Sequence, residues 1–546
     1  MSFLRMSILV ALLAVPATAT PCTNFLVSPG ASADGSSMVT YAADSHVLYG
    51  ELYYTPAGSH APGSMLDIYE WDTGKFLGKI AQVAETFAVV GNMNEHQVTI
   101  GETTYGGRSE LKNDEGIMDY GSLMYVALQR ARTAREAIEI MGDLVARYGY
   151  YSSGEALSIA DPQEVWIMGM IGKGKGQKGA VWVARRVPDG YVTAHANWVR
   201  ITTFPLDDRK NCLYSQDVIT FAREKGYYDG PDNEFSFAAA YAPMTWMDAR
   251  VCEARVWSFF RQVAPSQNLA PDFVNATKPE QVTLPLWVKP DTKLTVRDLF
   301  SAMRDHFEGT PLDLSKGVGA GAYELPYRWR PLFWEYEGEK YMNERSTATQ
   351  QTGFSFVGQM RKQLPDPIGG VLWFAVDDAA TTVYVPMYAG IRSAPHNYAV
   401  GTGDFKTFSW DSAFWVFNFV ANWSYGRYKD IAGDVQVEQQ KLEGEFAALQ
   451  PGVEQAALAL FKQSPELARD YLTKYSHDQA ARTVERWRRL GTELLVKYLD
   501  GNVRDAQGNV THPGYPKAWT ERVLKESGDH FKMRKLEGEI TVEEGH

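Results

Sequence analysis

The chain has 546 residues, of which 45% are hydrophobic and 22% charged, a composition typical of a globular protein large enough for more than one domain. Its formal net charge of −12 argues against nucleic-acid binding and against charge-driven binding to anionic lipid, because both need a basic surface. The 13% of aromatic residues can fill a core or line a binding cleft.

The N-terminal segment has the pattern of a secretion signal over residues 1–19. Arg5 precedes an apolar run over 8–15, and 17–19 has the small-residue pattern of a cleavage site. The run is too short to remain as a membrane span, so we expect a secreted or periplasmic protein. A second, autocatalytic cut would be needed to remove 20–21 and expose Cys22. A lipid anchor on this cysteine is the alternative, although the residues before it do not fit a lipoprotein signal.

The next segment predicts a strand that begins at Cys22 and continues to Val27. A turn-rich stretch follows, and 38–44 predicts a return strand that ends at the carboxylate of Asp44. Once exposed, Cys22 would carry a thiol with an ordinary pKa of about 8.5 and an α-amine with a pKa of about 7.7 to 8.0. One residue could therefore supply both nucleophile and base.

Later segments alternate between strand and helix patterns. Short strands with turns are predicted over 48–110, and Thr133 with Glu136 forms a capping box for a helix over 133–148. The further predicted elements are a hairpin over 165–168 and 181–184, a strand over 191–197, a helix over 295–307, and strands at 352–360, 370–376 and 381–387.

From about residue 408 the pattern is helical. One helix is predicted to start at Ser464-Pro465 and a second to run through Ala480 and end before Gly501. Strands early and again after 350, with helices between and after them, predict an α+β fold rather than a doubly wound parallel sheet. The predicted organisation is a signal and short propeptide (1–21), a catalytic domain (22–405) and a mainly helical extension packed on it (406–546).

Cys212 and Cys252 are the other two cysteines. In an oxidising compartment they could form a disulfide, and two buried free thiols are the alternative. The sequence leaves both possibilities open.

Several segments carry a family resemblance. They are Cys22-Thr23-Asn24, 31–36, Asp44, Met93-Asn94-Glu95, 133–137, 196–201, 304–311, 327–331 and 350–357. In number and order they resemble the secreted branch of the dipeptidase A family of cysteine N-terminal-nucleophile (Ntn) hydrolases. More distantly they are similar to the choloylglycine hydrolase and penicillin V acylase group.

The resemblance implies a four-layer αββα sandwich and hydrolysis of small peptides through a thioester on Cys22. Asp44 would hold the Cys22 amine, while the Asn197 side chain and the Asn94 backbone N–H would line an oxyanion hole. Losing one such donor typically costs about 10²- to 10³-fold in rate. No cofactor and no metal are implied.

Two further positions are expected to bind substrate. Tyr41 stands where many members of the family carry an arginine, a departure that bears on recognition of one substrate end. Arg345 is the candidate for the second arginine of the acylase group. Ordinary structural or polar roles are expected for Glu102, His46, His96 and His195.

Other catalytic classes lack their signatures in this sequence. It contains no H-E-x-x-H motif or Cys/His cluster for a metal, no G-x-S-x-G, and no papain-like local sequence. Two readings remain beside a dipeptidase, namely an acylase for bile-salt or penicillin V amides and a non-catalytic secreted or lipid-anchored binding protein. A homo-oligomer is possible.

Overall fold

The computed structural model describes residues 22–278, 281–282 and 284–534. The predicted signal and propeptide at 1–21 lie outside the described residues, as does the end of the predicted helical extension. Within the described ranges, two large antiparallel sheets carry the fold.

The first sheet has seven strands and holds the segment that begins at Cys22. Strand Asn24–Val27 lies between Ser37–Asp44 and Val192–His195, and Ser37–Asp44 in turn pairs with Thr352–Met360. Its strands in spatial order are Trp287–Val288, Val192–His195, Asn24–Val27, Ser37–Asp44, Thr352–Met360, Val371–Val376 and Val385–Tyr388.

The second sheet has eight strands and comes mainly from the segment between residues 54 and 214. Its longest strands are joined as antiparallel neighbours, as expected where short turns connect them. In spatial order they are Cys212–Tyr214, Ala180–Arg186, Val165–Gly172, Gly154–Ala160, Thr99–Tyr105, Met93–Asn94, Val89–Val90 and Tyr54–Thr55. Among the described residues, four two-stranded pairs lie outside the two large sheets, namely 58–59 with 85–86, 65–69 with 76–81, 333–336 with 339–342, and 503–504 with 510–511.

The two large sheets pack face to face. At Gly101 a Cβ atom would lie 2.6 Å from the Asn24 side-chain amide and 3.2 Å from the Tyr41 Cβ, so only glycine permits this close approach. Strands Asn24–Val27 and Thr99–Tyr105 are buried along nearly their whole length. This contact brings the start of the chain against the centre of the second sheet.

Helices cover the outer faces of both sheets. Helices 120–128 and 134–148 pack on the eight-stranded sheet, and 254–263, 296–303 and the long C-terminal helices pack on the seven-stranded sheet. The α-helices of the described chain are Tyr120–Leu128, Ala134–Tyr148, Thr220–Glu224, Phe237–Tyr241, Ala254–Val263, Val296–Met303, Asp366–Gly369, Ala413–Tyr425, Tyr428–Phe461, Pro465–Lys497 and Lys517–Ser527.

The local helix signals are confirmed where a side chain defines the end. Thr133 accepts a hydrogen bond from the Glu136 N–H, and the chain leaves the helix at Gly149 with a φ of 80°. Thr295 and Asp298 form a complete capping box. The two helices predicted between 464 and 501 are wrong in one respect, because Pro465–Lys497 is a single continuous helix. Between Glu466 and Leu490 it has no glycine or proline that would interrupt it, and Gly491 is accommodated within the helix.

The mixed α/β character with antiparallel sheets agrees with the expected fold class. Cys212 and Cys252 are both free and buried, which answers the question that the sequence left open. None of the helices in the described ranges combines the length and the apolar character needed to cross a lipid bilayer.

Candidate active site

Cys22 lies at the start of the first strand, against the end of the return strand. Thr23 bridges Ala42, with the Thr23 N–H 3.4 Å from the Ala42 carbonyl and the Ala42 N–H 3.0 Å from the Thr23 carbonyl. One residue further out in this antiparallel register, Cys22 lies opposite Ala43, and the Asp44 backbone makes a hydrogen bond to the Cys22 sulfur. Pairing between strands therefore brings together two residues that are 22 positions apart.

Asp44 is held by three groups from one later segment. Arg345 Nη2 lies 2.5 Å from Asp44 Oδ2, and the Thr352 hydroxyl donates to Oδ1 at 2.7 Å. The Gln351 side-chain amide donates to the Asp44 carbonyl at 3.2 Å. The buried ion pair with Arg345 fixes the Asp44 carboxylate beside Cys22 and balances its negative charge.

The expectation that Arg345 binds substrate does not fit its position. Its guanidinium is buried behind Asp44 and does not line the cavity into which Cys22 opens. The structure places this side chain in an ion pair with the Asp44 carboxylate and not in the cavity wall.

Glu102 contacts the thiol, although the sequence analysis gave it only a structural role. The Cys22 thiol donates to Glu102 Oε1 at 3.7 Å, and the Tyr41 hydroxyl donates to the same oxygen at 2.5 Å. No motif marks Glu102, because strand pairing and sheet packing create the contact across 80 residues of chain. Tyr41, expected to bind substrate, is buried against Glu102 and lines the same cavity.

A second buried carboxyl, Glu155, lies beside Glu102. Burial, and then the charge of Glu102, raises the pKa of Glu155 well above its usual range. Burial also raises the pKa of Glu102, but hydrogen bonds from Glu155, Tyr41 and Cys22 oppose that rise. Both carboxyls therefore bind a proton more readily than usual, and the two titrate as a pair.

The environment of Cys22 favours the thiol over the thiolate. Burial raises its pKa well above the usual range, the charges of Glu102 and Asp44 raise it further, and a backbone hydrogen bond from Asp44 opposes them. Because the thiolate is the reactive form, the thiol proton must be accepted by a base as attack occurs.

Arg255 is a site residue that the sequence analysis missed. It lies in helix Ala254–Val263 and is fully buried. Its Nη1 donates to the Cys22 carbonyl at 2.7 Å and to the Thr23 hydroxyl at 2.8 Å, and its Nη2 donates to Asn197 Oδ1 at 2.9 Å. Burial, and then the charge of Arg345, lowers its pKa to about 10. Nothing in the local sequence distinguishes Arg255 from the other arginines of these helices.

Asn197 and Asn94, the two residues predicted to donate to the oxyanion, lie in different parts of the structure. Asn197 has a φ of +66°, and its side-chain amide donates to the Thr104 carbonyl at 2.7 Å while Arg255 fixes its oxygen. Asn94 is not brought to the site. Its backbone N–H donates to the Val98 carbonyl at 2.9 Å, and its side-chain amide donates to two carbonyls near the end of helix 120–128. The Asn94 N–H is therefore committed to a turn within the second sheet.

A cavity of about 260 Å³ opens onto Cys22. This volume falls just below the range of about 300 to 1,000 Å³ usual for ligand pockets, so a small molecule fits better than an extended peptide. Its lining residues in the described chain are Cys22, Tyr41, Ala43, Asp44, Ser45, Val47, Leu48, Tyr49, Glu51, Tyr53, Trp71, Asp72, Asn92, Glu102, Tyr120, Met124, Tyr125 and Phe354.

The sequence matches the family model described as Peptidase family C69 over residues 56–441. This match spans more than half of the chain, so the chain belongs to peptidase family C69 and is a peptidase. The resemblance to the dipeptidase A family is thereby confirmed.

Curated relatives extend over most of the chain at low identity. A probable dipeptidase of Salmonella dublin is 25% identical over 392 residues, which are 68% of this chain and 81% of that protein. A probable dipeptidase of Latilactobacillus sakei is 22% identical and covers 88% of this chain and 94% of its own length. Dipeptidase A of Lactobacillus helveticus is 22% identical, with coverage of 78% and 86%.

Proposed function

We propose that this protein is a secreted dipeptidase that hydrolyses small peptides with Cys22 as an N-terminal nucleophile. The observation that carries the proposal is the position of Cys22 in the wall of a small cavity, beside the buried carboxylate of Asp44. Membership of a peptidase family and the dipeptidase names of its relatives support the substrate class. Two face-to-face sheets with helices outside them support the four-layer αββα sandwich of an Ntn hydrolase.

The proposed reaction begins after residues 1–21 are removed. The α-amine of Cys22, held by Asp44, takes the thiol proton while the sulfur attacks the substrate carbonyl carbon. The amine then gives this proton to the leaving amino group, the C–N bond breaks, and a thioester remains on Cys22. Water attacks the thioester and releases the free carboxylic acid, and the proton returns to the thiol.

The Asn197 side chain is the proposed donor to the oxyanion. Its amide is held between Thr104 and Arg255, and a rigid donor is what stabilisation of a transition-state charge requires. Asn94 has no part in this proposal, because its N–H is bonded to Val98.

Two experiments test the proposal together. N-terminal sequencing and intact mass of the secreted protein should give a first residue of Cys22 with a free amine. Cys22→Ser should abolish turnover of a panel of dipeptides, and the wild type should not hydrolyse conjugated bile acids or penicillin V at a comparable rate.

The alternatives predict different results in the same experiments. A preference for the conjugated amides would identify an acylase. A mature protein that starts at Thr20, or one with a diacylglyceryl mass on Cys22 and no turnover, would favour a binding protein.

A further inference from the structure

The wall of the Cys22 cavity is strongly acidic. Four carboxylates line it, and the described lining contains no Lys, Arg or His. Asp44 is balanced by Arg345 from behind the wall. The other three are held by neutral donors, since Tyr41 donates to Glu102, Tyr120 to Asp72 at 2.8 Å, and the Gly401 N–H to Glu51 at 2.9 Å. A positively charged group on the substrate would compensate this wall.

Peptide geometry specifies where such a group would lie. In an amino acid the α-nitrogen and the carbonyl carbon are two bonds apart, with bond lengths of about 1.46 and 1.52 Å. A carbonyl carbon ready for attack lies about 3 to 3.5 Å from the nucleophile. Glu102 Oε1 is 3.7 Å from the Cys22 sulfur, so a substrate can be oriented with the α-nitrogen of the residue under attack within hydrogen-bonding distance of this oxygen.

The aromatic side of the cavity suits a cation as well. The rings of Trp71 and Tyr125 are stacked with centroids 4.8 Å apart, and the Tyr53 ring lies 5.0 Å from Trp71. Aromatic faces attract ammonium groups. Asp72 is exposed and Glu51 is half-buried, so negative charge extends from the cavity mouth to the buried Glu102.

We infer that Glu102 binds the free α-ammonium of the residue whose carbonyl is attacked, which makes it the residue that selects unblocked dipeptides. This inference rests on the proposed function. Amides with a blocked or absent amine offer no cation, so they would leave the Glu102 charge uncompensated in a desolvated wall. The cavity around Cys22 would therefore disfavour amides that lack a free amine.

The test compares alanylglycine with propionylglycine, which has the same backbone but no amine. The wild type should prefer alanylglycine in kcat/KM by at least about 10-fold, because hydrogen bonds to charged groups are among the strongest. Glu102→Gln should bring the ratio close to one, chiefly by raising KM for alanylglycine. Glu155→Gln is the matched control, since it removes a neighbouring carboxyl that does not line the cavity, and it should keep the preference.

Two outcomes would overturn the inference. Unchanged kcat/KM values for both substrates in Glu102→Gln would show that the substrate amine binds elsewhere. An equal loss on both substrates would show that Glu102 acts on the thiol and not on the amine. In both cases turnover that still depends on Cys22 would leave the proposed function standing.

A measurement on the wild type covers the case in which Glu102→Gln does not fold. Propylammonium should inhibit alanylglycine hydrolysis competitively at a concentration at least about 10-fold below that of propanol, which has the same size without the charge. Equal inhibition by the two would contradict the inference.

Discussion

The chemistry of Cys22 depends on buried charges held by side chains that are remote in sequence. Asp44 is fixed by Arg345, the thiol faces Glu102, and Arg255 ties the Cys22 carbonyl to Asn197. Each buried charge has a hydrogen-bonded or ionic partner, as the cost of desolvation demands. Substitutions at these residues should therefore separate effects on geometry from effects on stability.

Arg255→Lys tests the connection between the proposed nucleophile, Cys22, and the proposed oxyanion donor, Asn197. Lysine cannot reproduce the planar set of hydrogen bonds to Cys22, Thr23 and Asn197. Small misplacements in an active site can cost about 10²-fold in rate, so we expect kcat for a dipeptide to fall by about this factor. Arg261→Lys in the same helix, where the side chain is partly exposed, should change kcat less than about twofold. Equal effects of the two substitutions would contradict the role of Arg255.

The ion pair between Asp44 and Arg345 allows stability to be separated from catalysis. Asp44→Asn takes the carboxylate away from a buried guanidinium, so we expect the free energy of unfolding to fall by about 3 to 5 kcal/mol and turnover to be lost. The double variant Asp44→Asn with Arg345→Met removes both charges and should recover most of the stability in urea unfolding, but no turnover. Recovered turnover would show that Asp44 serves the fold alone.

At the scale of secondary-structure elements, the sequence predicted best the helix starts that depend only on neighbouring residues. Helix starts at Thr133 and Thr295 follow from side-chain caps, and both are confirmed. The sequence did not predict helix and strand boundaries that depend on contacts with distant residues. The helix predicted over 295–307 stops at Met303, where Arg304 turns to pair with Glu443 of a distant helix. The strand predicted from 381 begins only at Val385, because a turn around Asp378 precedes it.

Asp377 follows the strand Val371–Val376 and supplies a pH-dependent prediction. Burial raises its pKa to about 8, far above the value of about 3.9 in an unfolded chain. Between about pH 4 and 8 the folded protein keeps a proton that the unfolded chain releases. This group's contribution to the free energy of unfolding therefore falls as the pH rises, by up to about 1.4 kcal/mol per unit.

Asp377→Asn removes this dependence while keeping the oxygen that accepts from Asn418 at 2.9 Å. Asparagine also tolerates the φ of +66° at this position. Relative to the wild type, the variant should gain stability steadily between pH 5 and 8 in urea unfolding. A stability difference that is constant over this range would contradict the raised pKa of Asp377.

At the scale of the whole molecule, the sequence predicted the mixed α/β fold and the proximity of Cys22 to Asp44, but not the other residues around them. Cys22 and Asp44 were recognisable because a short hairpin joins them. Glu102, Arg255 and Arg345 reach Cys22 and Asp44 only through sheet packing and helix docking across 80 or more residues of chain. Asn94 was expected at the site from a motif, but its position in a tight turn uses its N–H within the second sheet.

The central claim is that Cys22 becomes the first residue and carries the acyl group during turnover. Acid quenching of the purified enzyme during hydrolysis of a dipeptide, followed by mass spectrometry of its N-terminal peptide, tests this directly. We predict a peptide that begins at Cys22 and carries the mass of the substrate's acyl residue, absent from Cys22→Ser. An active enzyme that still begins at Thr20, or an acyl group on any other residue, would contradict the account.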